Sequence, residues 1–397
     1  MKNNFRTLYI EINYSNLIFF IGENHEQKNK IIYELSVPIK GIENKQISDF
    51  EQIFNLIKDN IYLIEQKLSY TFKEVVLILE NLNPKFINLT GFRKLNGSQI
   101  LKENINYILN TLKSYVDEIE SKRTILHIFN SKFFLDKKKI ENLPIGLFGD
   151  FYSHELSFSL ININDHKNLK NIFDECNLKI KKILLKSFLK GAFISDKHNG
   201  SETFFHVEIN SKNSSIFYFE NNSLKYKQDF KFGVDIIIND ISKITSLKES
   251  TIRLILEKIE LSENIPENEL IEKEYFEENN YIKIKKKLIY QIALARAQEI
   301  SELIIHKNIN FKYYSKSVKI VFLEIISKNI SFNLKQILKT CLCSNDKFDI
   351  RSLDSLSSEE MLETLNKIVH FGWKKEAIPI TKAKKSIITR FFDTIFG

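Results

Sequence analysis

The sequence predicts an α/β protein in which sheets and helices pack in layers, and two observations support this class. Segments typical of strands and helices alternate near the N-terminus, in the order strand, strand, helix, strand. A similar order begins again near Phe204. We therefore expect two related domains, each built on a sheet with helices against it.

The first unit contains strand-like segments on both sides of one helical segment. Residues 8–21 alternate and then become continuously apolar, and residues 31–39 form a second strand-like run that contains Pro38. Residues 48–68 place apolar side chains at helical spacing. Residues 75–79 are fully apolar, which is typical of a strand buried between helix layers.

The second unit begins in the same way as the first. Residues 205–209 and 215–219 predict two strands, and a helix is expected from Gly233 onward. The sequence EINYSN at residues 11–16 is echoed by EINSKN at residues 208–213, and each lies at the turn between a first and a second strand. The echo suggests a duplication in which two similar domains face each other across a cleft.

Composition limits the classes of function. The 397 residues are 43% hydrophobic, enough for a large core and for two or more domains. Lysine and arginine number 58 against 50 acidic residues, and because the surplus is spread along the chain, nucleic-acid binding is not favoured. The three cysteines have no zinc-ligand spacing and indicate reduced thiols in a cytosolic setting. No apolar run approaches the roughly 18 residues that span a bilayer, and the N-terminus resembles no signal peptide.

Motifs for other chemistry are weak. The histidines, including His127, His206 and His306, occur singly in apolar or mixed stretches, where a structural histidine is the commoner case. The lysines at 285–287 are interpreted as a solvated face, with an acidic-peptide site as the alternative. The sequence has no HExxH, GxSxG or Walker lysine loop, so it indicates neither those hydrolases nor a P-loop enzyme.

The last seventeen residues, 381–397, predict a basic amphipathic helix. Its apolar face and its cations suit the boundary between anionic headgroups and acyl chains. The alternative is a terminal helix docked on the protein's own core. Pro379 and the polar residues 374–376 separate the segment from the preceding helix and favour a detachable membrane anchor. The predicted membrane-binding residues are Lys384, Lys385, Ile387, Ile388, Arg390, Phe391, Phe392, Ile395 and Phe396.

From about residue 8 to residue 397 the chain resembles the family of the bacterial actin-like cell-division protein FtsA. The family's hairpin motifs DIGTSK and DIGGGTTD match residues 11–16 and 208–215, and PVGGDHVTNDI matches residues 231–241. The helix motif RxEEIxEL matches residues 296–303. Residues 87–91, 125–128 and 142–149 resemble segments of the small domain that is peculiar to this family.

The resemblance implies an actin-like fold, that is, a duplicated ribonuclease H-like fold, with a small inserted α/β domain typical of FtsA. The implied domains are 1A at residues 1–85 and 164–200, 1C at 86–163, 2A at 201–247 and 308–373, and 2B at 248–307. A linker and the membrane-targeting helix follow at residues 374–397.

The family also implies ATP with magnesium, held by backbone groups of the two hairpins. The positions that correspond here are Glu11, Asn13, Ser15, Asn16, Glu208, Asn210, Ser214, Gly233 and Asp235. Most of the glycines that let a chain approach phosphates are replaced, namely at Asn13, Asn210, Ser211, Lys212 and Val234. The family's glycine-rich adenosine loop aligns with residues 323–326, and its ribose-binding acid and lysine align with Arg253 and Leu256.

Two interpretations of these replacements remain open. A distorted pocket still holds ATP, with Glu11 and Glu208 in place of the aspartates that orient hydrated magnesium. Alternatively, side chains such as Ile325 and Ile326 close the cleft. We favour weakened or absent nucleotide binding and, at most, a weak ATPase.

The resemblance further implies a tether that joins filaments of the tubulin-like protein FtsZ to the cytoplasmic side of the bacterial inner membrane at the division site. Its expected partners are the FtsZ C-terminal peptide, bound through residues 248–307, other copies of itself in a filament, anionic lipid and later division proteins. The alternatives are an actin-fold ATPase or sugar-kinase-like enzyme, and a pilus-assembly relative, which we expect to lack the tail.

Overall fold

The structure is a computed structural model, and it describes residues 6–25, 28–80, 82–198, 201–276, 281–326, 332–343, 347–373 and 375–377. The predicted membrane-targeting helix at residues 381–397 lies outside the described residues. Among the helices within them, none has both the length and the apolar composition that a membrane crossing requires.

The strands of the described part run in chain order as β1 (Arg6–Ile12), β2 (Asn16–His25), β3 (Lys28–Pro38), β4 (Ile42–Glu43), β5 (Gln46–Ile47), β6 (Glu74–Leu79), β7 (Lys85–Lys94), β8 (Arg123–Leu135), β9 (Lys138–Ile140), β10 (Phe151–Asn162), β11 (Lys179–Leu185), β12 (Phe204–Asn210), β13 (Ser214–Glu220), β14 (Ser223–Phe230), β15 (Ile320–Ile326) and β16 (Asp349–Leu353).

The α-helices are α1 (Phe50–Leu68), α2 (Lys102–Ile119), α3 (Ile163–Glu175), α4 (Lys186–Lys197), α5 (Asp235–Thr245), α6 (Glu249–Lys258), α7 (Lys286–Ser301), α8 (Ile309–Tyr314), α9 (Phe332–Cys343) and α10 (Ser358–Phe371). A π-helical turn, Glu302–His306, continues α7.

The chain divides into two compact units, one of Met1–Phe193, Asn221–Lys225 and Ser358–Gly397, the other of Ile194–Glu220 and Tyr226–Ser357. The five-stranded sheets have the orders β11-β6-β1-β2-β3 and β14-β13-β12-β15-β16. In each, the first strand pairs antiparallel with the second and parallel with a strand that follows a helix. The equal topology agrees with the duplication predicted from the sequence echo.

The first unit also contains a smaller sheet with the order β7-β10-β8-β9. The helix α2 packs against it, and Leu109 and Val116 of α2 share a core with Leu156 and Phe158 of β10. The segments at residues 87–91 and 125–128, which resemble strands of the small family domain, lie in β7 and β8. This sheet and its helix form the α/β insertion that the sequence predicts.

Local chemistry explains where the main elements begin. Asp49 caps α1, because its carboxylate accepts a hydrogen bond from the backbone N–H of Gln52 at 3.0 Å. The buried residues Ile53, Ile57, Ile61 and Ile64 form the apolar stripe of α1. The predicted helix 48–68 is therefore confirmed apart from its first two residues.

Two boundaries differ from the sequence prediction. Residues 8–21 do not form one strand, because the chain turns at residues 13–15 and forms the β1–β2 hairpin. The helix expected from Gly233 begins at Asp235, since the backbone N–H groups of Val234 and Asp235 bond to the β12–β13 hairpin. Both differences concern the candidate phosphate-binding turns.

Candidate functional site

The first candidate turn, between β1 and β2, is closed by its own asparagine. The backbone N–H of Asn13 donates to the carbonyl of Asn16 at 3.1 Å. The side-chain oxygen of Asn13 accepts from the backbone N–H groups of Ser15 at 2.9 Å and Asn16 at 2.7 Å. This arrangement is an Asx turn, which asparagine forms readily. Two backbone donors of the turn are thus directed at a protein oxygen.

A buried carboxylate lies just before this turn. Glu11, on β1, is 2% exposed. The ammonium group of Lys186, the first residue of α4, lies 2.7 Å from Glu11 Oε1 and 2.8 Å from Glu80 Oε2. Glu80 follows β6 directly, and its backbone N–H donates to the carbonyl of Ile12 at 2.9 Å. Parallel pairing of β1 with β6 therefore brings both carboxylates to the same edge of the sheet, where α4 begins.

The electrostatics of this group favour a charged lysine. Burial by itself lowers the pKa of Lys186, but the negative charges of Glu80 and Glu11 outweigh it and raise the pKa above its ordinary value. Lys186 therefore stays protonated at neutral pH. It makes charge-assisted hydrogen bonds with both carboxylates.

The second candidate turn, between β12 and β13, is joined to the start of α5. The backbone N–H of Asn210 closes the turn by donating to the carbonyl of Asn213 at 2.8 Å. The N–H groups of Val234 and Asp235 donate to the carbonyls of Asn210 and Ser211 at 2.9 and 2.8 Å. The first backbone donors of α5 are thus bonded within the protein.

Glycine is needed at residue 233 because the turn approaches it closely. A Cβ atom at Gly233 would lie 2.1 Å from the carbonyl oxygen of Asn210, which is inside van der Waals contact. The Ser214 hydroxyl also donates to the carbonyl of Phe232 at 2.8 Å. The structure therefore brings together four of the predicted residues, Asn210, Ser214, Gly233 and Asp235.

Glu208 lies in a buried cluster that the sequence analysis did not predict. His206 Nε2 lies 3.1 Å from Glu324 Oε2, and His206 Nδ1 lies 3.8 Å from Glu208 Oε1. All three residues are at most 4% exposed. His206 and Glu208 share a face because they are two residues apart on β12, and Glu324 pairs with Glu208 across the sheet.

The residue types of this cluster are those that bind metal ions, and the cluster is the group of this kind found in the described part of the chain. An imidazole ring binds a metal ion through only one of its two nitrogens. In His206, Nδ1 faces Glu208 and Nε2 faces Glu324. The ring therefore lies between Glu208 and Glu324, and its Nε2 is within hydrogen-bond distance of Glu324. His206, interpreted from the sequence as a lone structural histidine, has acidic neighbours on both sides.

The ribose-binding positions of the family are not reproduced. Arg253 bonds to Asp235 at 3.0 Å and to Glu249 at 2.6 Å, so its guanidinium group holds α6 to the start of α5. Leu256 is 2% exposed and belongs to the core of the second unit. Residues 323–326, aligned with the adenosine loop, form the end of β15, and residues 327–331 lie outside the described part.

The lysines at 285–287 are not uniformly solvated as the sequence analysis expected. Lys286 is only 8% exposed, and its ammonium group lies 2.7 Å from Glu269 and 2.6 Å from Glu272. Lys287 lies 3.4 Å from Glu267. The acidic-peptide alternative is weakened for Lys286 and Lys287, since both already face carboxylates of the same unit.

The predicted membrane-binding residues, from Lys384 to Phe396, lie outside the described residues. The segment before them is described at residues 375–377. It pairs with β8 through hydrogen bonds from the Asn130 N–H to the Lys375 carbonyl and from the Ala377 N–H to the Ile128 carbonyl, each 2.7 Å long. Ala377 also packs against the core of the small sheet.

Comparison with curated protein sequences gives relatives that are named cell division protein FtsA. No profile of a known protein family matches the chain. The cell division protein FtsA of Buchnera aphidicola subsp. Acyrthosiphon pisum is 21% identical over 234 residues, which are 59% of this chain and 56% of that protein. The FtsA of Buchnera aphidicola subsp. Baizongia pistaciae is 23% identical over 207 residues, which are 52% of this chain and 49% of that protein. The matched region thus spans about half of the curated relatives, and the resemblance to FtsA is confirmed.

Among solved structures, a protein of the PilM–PilN type IV pilus biogenesis complex superposes with a TM-score of 0.52 at 10% identity. The superposition covers 92% of this chain and 96% of that protein. At this identity the likeness concerns the fold alone. The fold is actin-like, with the small inserted domain, as the sequence predicts.

Proposed function

We propose that the chain is a cell-division adaptor, which ties FtsZ filaments to the inner face of the cytoplasmic membrane and recruits later division proteins. The similarity to curated cell division proteins named FtsA and the actin-like fold support this role. The observation that favours an adaptor over an enzyme is the ammonium group of Lys186 between Glu11 and Glu80. Its work is assembly, and nucleotide turnover is not part of it.

The membrane contact in this proposal is made by residues 381–397. The apolar face and the flanking cations of this segment bind anionic lipid weakly and reversibly when they act alone. Self-association then matters, because many weak anchors on one filament bind far more tightly than one. The protein is accordingly placed at the cytoplasmic side of the inner membrane, at the division site.

Self-association is assigned to the small domain at residues 86–163. Its surface carries large apolar side chains, since Phe92 is 66% and Phe148 is 70% exposed. Phe92 stacks on Phe151 with ring centroids 5.5 Å apart, which fixes an aromatic pair at the edge strand β7. Exposed aromatic pairs of this kind favour protein contacts.

The FtsZ C-terminal peptide is assigned to a shallow groove of about 340 Å³ between α5 and α7. Its apolar lining comes from Ile244, which is 60% exposed, together with Ile292 and Ala295. Arg296, in the segment that matches the family's helix motif, forms ion pairs with Asp240 and Glu299 at the rim. An apolar groove with charges of both signs suits a short amphipathic peptide.

The competing proposal is an actin-fold ATPase or a sugar-kinase-like enzyme. A kinase needs phosphate-binding turns with free backbone donors and an acidic base beside them. Here the donors of Ser15, Asn16, Val234 and Asp235 bond to protein oxygens. The enzyme is therefore the weaker candidate.

Membrane tethering is tested by co-sedimentation of the protein with anionic and with neutral vesicles, at two salt concentrations. The full chain should pellet with anionic vesicles, less so at high salt, and the chain without residues 381–397 should stay in the supernatant. If the shortened chain pellets equally well, the anchor is elsewhere and the proposal fails. A pilus-assembly relative would show no such loss on truncation.

Peptide binding is tested by calorimetric titration with an FtsZ C-terminal peptide. Ile244→Asp should abolish the binding, because it places a charge on the exposed apolar wall of the groove. Ile309→Asp is the matched control, since Ile309 is 82% exposed on α8 and does not line the groove. Equal binding by both variants would remove the groove from the proposal.

A further inference from the structure

The magnesium ion that the fold family implies does not fit the first turn. Magnesium is bound in proteins by carboxylate oxygens and water, in a close octahedral shell. The carboxylate beside this turn is Glu11, and Glu80 lies next to it, directly after the neighbouring strand β6. Both carboxylates already bind the ammonium group of Lys186, at 2.7 and 2.8 Å.

We infer that this turn is filled by the protein's own groups, with the Lys186 ammonium in the role of the divalent cation and the Asn13 amide oxygen in the role of a phosphate oxygen. The two assignments rest on independent contacts. Lys186 comes from α4, far along the chain from Glu11, whereas Asn13 acts within the turn itself.

The cation assignment follows from charge and geometry. A lysine carries one positive charge and three donors, and it satisfies two carboxylates that would otherwise repel each other in a buried position. A divalent ion in the same place would lie within a few ångströms of the ammonium group, so like charges oppose it. Glu11 therefore serves as the partner of a built-in cation.

The phosphate assignment follows from the donors of the turn. A nucleotide phosphate is held in this fold by consecutive backbone N–H groups. The N–H groups of Ser15 and Asn16 donate instead to Asn13 Oδ1, at 2.9 and 2.7 Å. A phosphate would have to displace an amide that is tethered at the site and is therefore always present at high local concentration.

Independently of any membrane role, replacing Lys186 should give the protein a new divalent-cation site. Removing the Lys186 ammonium leaves Glu11 and Glu80 facing each other, which is a pair of ligands for a hard divalent ion. Lys186→Met should therefore create a divalent-cation site that the natural protein lacks. Lys186→Arg keeps the positive charge and is the matched control.

The experiment titrates the full chain and its variants with Mn²⁺, a paramagnetic probe for magnesium sites, and follows water-proton relaxation and thermal unfolding. Lys186→Met should bind Mn²⁺ at least about tenfold more tightly than the natural chain or Lys186→Arg. At ten times the dissociation constant, Mn²⁺ should shift its unfolding equilibrium about elevenfold, a rise in Tm of about 2–4 °C. Adding Glu11→Gln to Lys186→Met should abolish both effects.

The buried cluster of His206, Glu208 and Glu324 is a second place where Mn²⁺ could bind, and Glu11→Gln distinguishes the two. Submillimolar Mn²⁺ binding by the natural chain that Glu11→Gln removes would overturn the inference. So would a Lys186→Met variant that binds no better than Lys186→Arg. Should Lys186→Met fail to fold, the titrations of the natural chain and of Glu11→Gln decide alone. If the natural chain and Glu11→Gln bind Mn²⁺ equally, the built-in cation is supported.

Discussion

The ammonium group of Lys182 lies 2.7 Å from Glu376 Oε2, and this ion pair holds the segment before the predicted tail against the first unit. His127 Nδ1 lies 3.1 Å from the other carboxylate oxygen, Glu376 Oε1. Because the Leu185 N–H donates to His127 Nε2 at 3.4 Å, the proton of the neutral ring is on Nδ1 and is donated to Glu376. The described segment at residues 375–377 is therefore held by the side chain of Glu376 as well as by its pairing with β8.

Glu376 should make stability depend on pH. Burial raises the pKa of this carboxyl, but the hydrogen bond from His127, the electrostatic interaction with that ring and the charge of Lys182 outweigh it and lower the pKa to about 2. The unfolded chain then binds more protons than the folded chain between about pH 5 and pH 2, so this contribution to stability is present at neutral pH and is lost as the pH falls. It amounts to about 3 kcal/mol.

The measurement is urea unfolding of the natural chain and Glu376→Gln at several pH values. The difference in free energy of unfolding should be largest at neutral pH and should shrink on acidification. Glu363→Gln is the control, because Glu363 is exposed and pairs only at the surface with Lys367. A difference that does not change with pH would show that the Glu376 carboxylate is not stabilised in this way.

Tyr9→Phe should destabilise the first unit. The Tyr9 hydroxyl donates to Asn366 Oδ1 at 2.5 Å, and both side chains are buried where α10 packs on the sheet. The variant leaves the Asn366 oxygen without this donor, which costs about 1–3 kcal/mol. Thermal and urea unfolding measure the loss. Tyr62→Phe, at a position 61% exposed, should change stability little, and an equal loss in both variants would count against the buried hydrogen bond.

Gly233→Ala should separate the β12–β13 turn from α5. Its methyl group would lie 2.1 Å from the Asn210 carbonyl, so the turn must shift and the Val234–Asn210 hydrogen bond is strained. We expect a loss of about 1–3 kcal/mol and faster amide hydrogen exchange at Val234 and Asp235. Lys231→Ala, at an exposed position nearby, is the control. Unchanged exchange in Gly233→Ala would contradict the close approach.

Phe391→Glu should weaken binding to anionic vesicles strongly while leaving the fold intact. The substitution places a charge in the apolar face of the predicted tail helix and removes one large buried side chain from the lipid contact. We expect affinity to fall about tenfold or more. Phe371→Glu is the matched control, because Phe371 is 89% exposed at the end of α10, before the tail. Loss of vesicle binding in both variants would indicate a general effect of charge.

Local patterns predict much of the fold. The mostly apolar runs of β12 and β13 are readable because both strands are buried along almost their whole length, and the apolar spacing of α1 is readable because helical periodicity reports on the buried face. The turn between β1 and β2 is obscured because apolar residues continue on both of its sides. The apolar pattern by itself joins the two strands, whereas the echo between residues 11–16 and 208–213 indicates the turn that the structure has there.

The contacts that matter at the candidate site are less accessible to sequence reasoning. Lys186 lies 175 residues after Glu11 in the chain, and parallel strand pairing with Glu80 at the end of β6 brings the three groups together. His206 appears isolated in sequence because Glu324 joins it through the parallel register of β12 and β15. The sequence shows that Asn13 stands where the family has glycine, and this replacement indicates a loss of backbone freedom. The hydrogen bonds that its side chain makes within the turn required the three-dimensional structure.

An adaptor that needs no nucleotide should bring FtsZ to the membrane equally well with and without ATP. A fluorescent FtsZ C-terminal peptide is mixed with anionic vesicles and the full chain, in buffer without nucleotide and again with ATP and magnesium. The peptide should sediment with the vesicles to the same extent in both buffers, and it should stay in the supernatant when residues 381–397 are removed. Recruitment only in the presence of ATP and magnesium, or equal recruitment by the shortened chain, would contradict it.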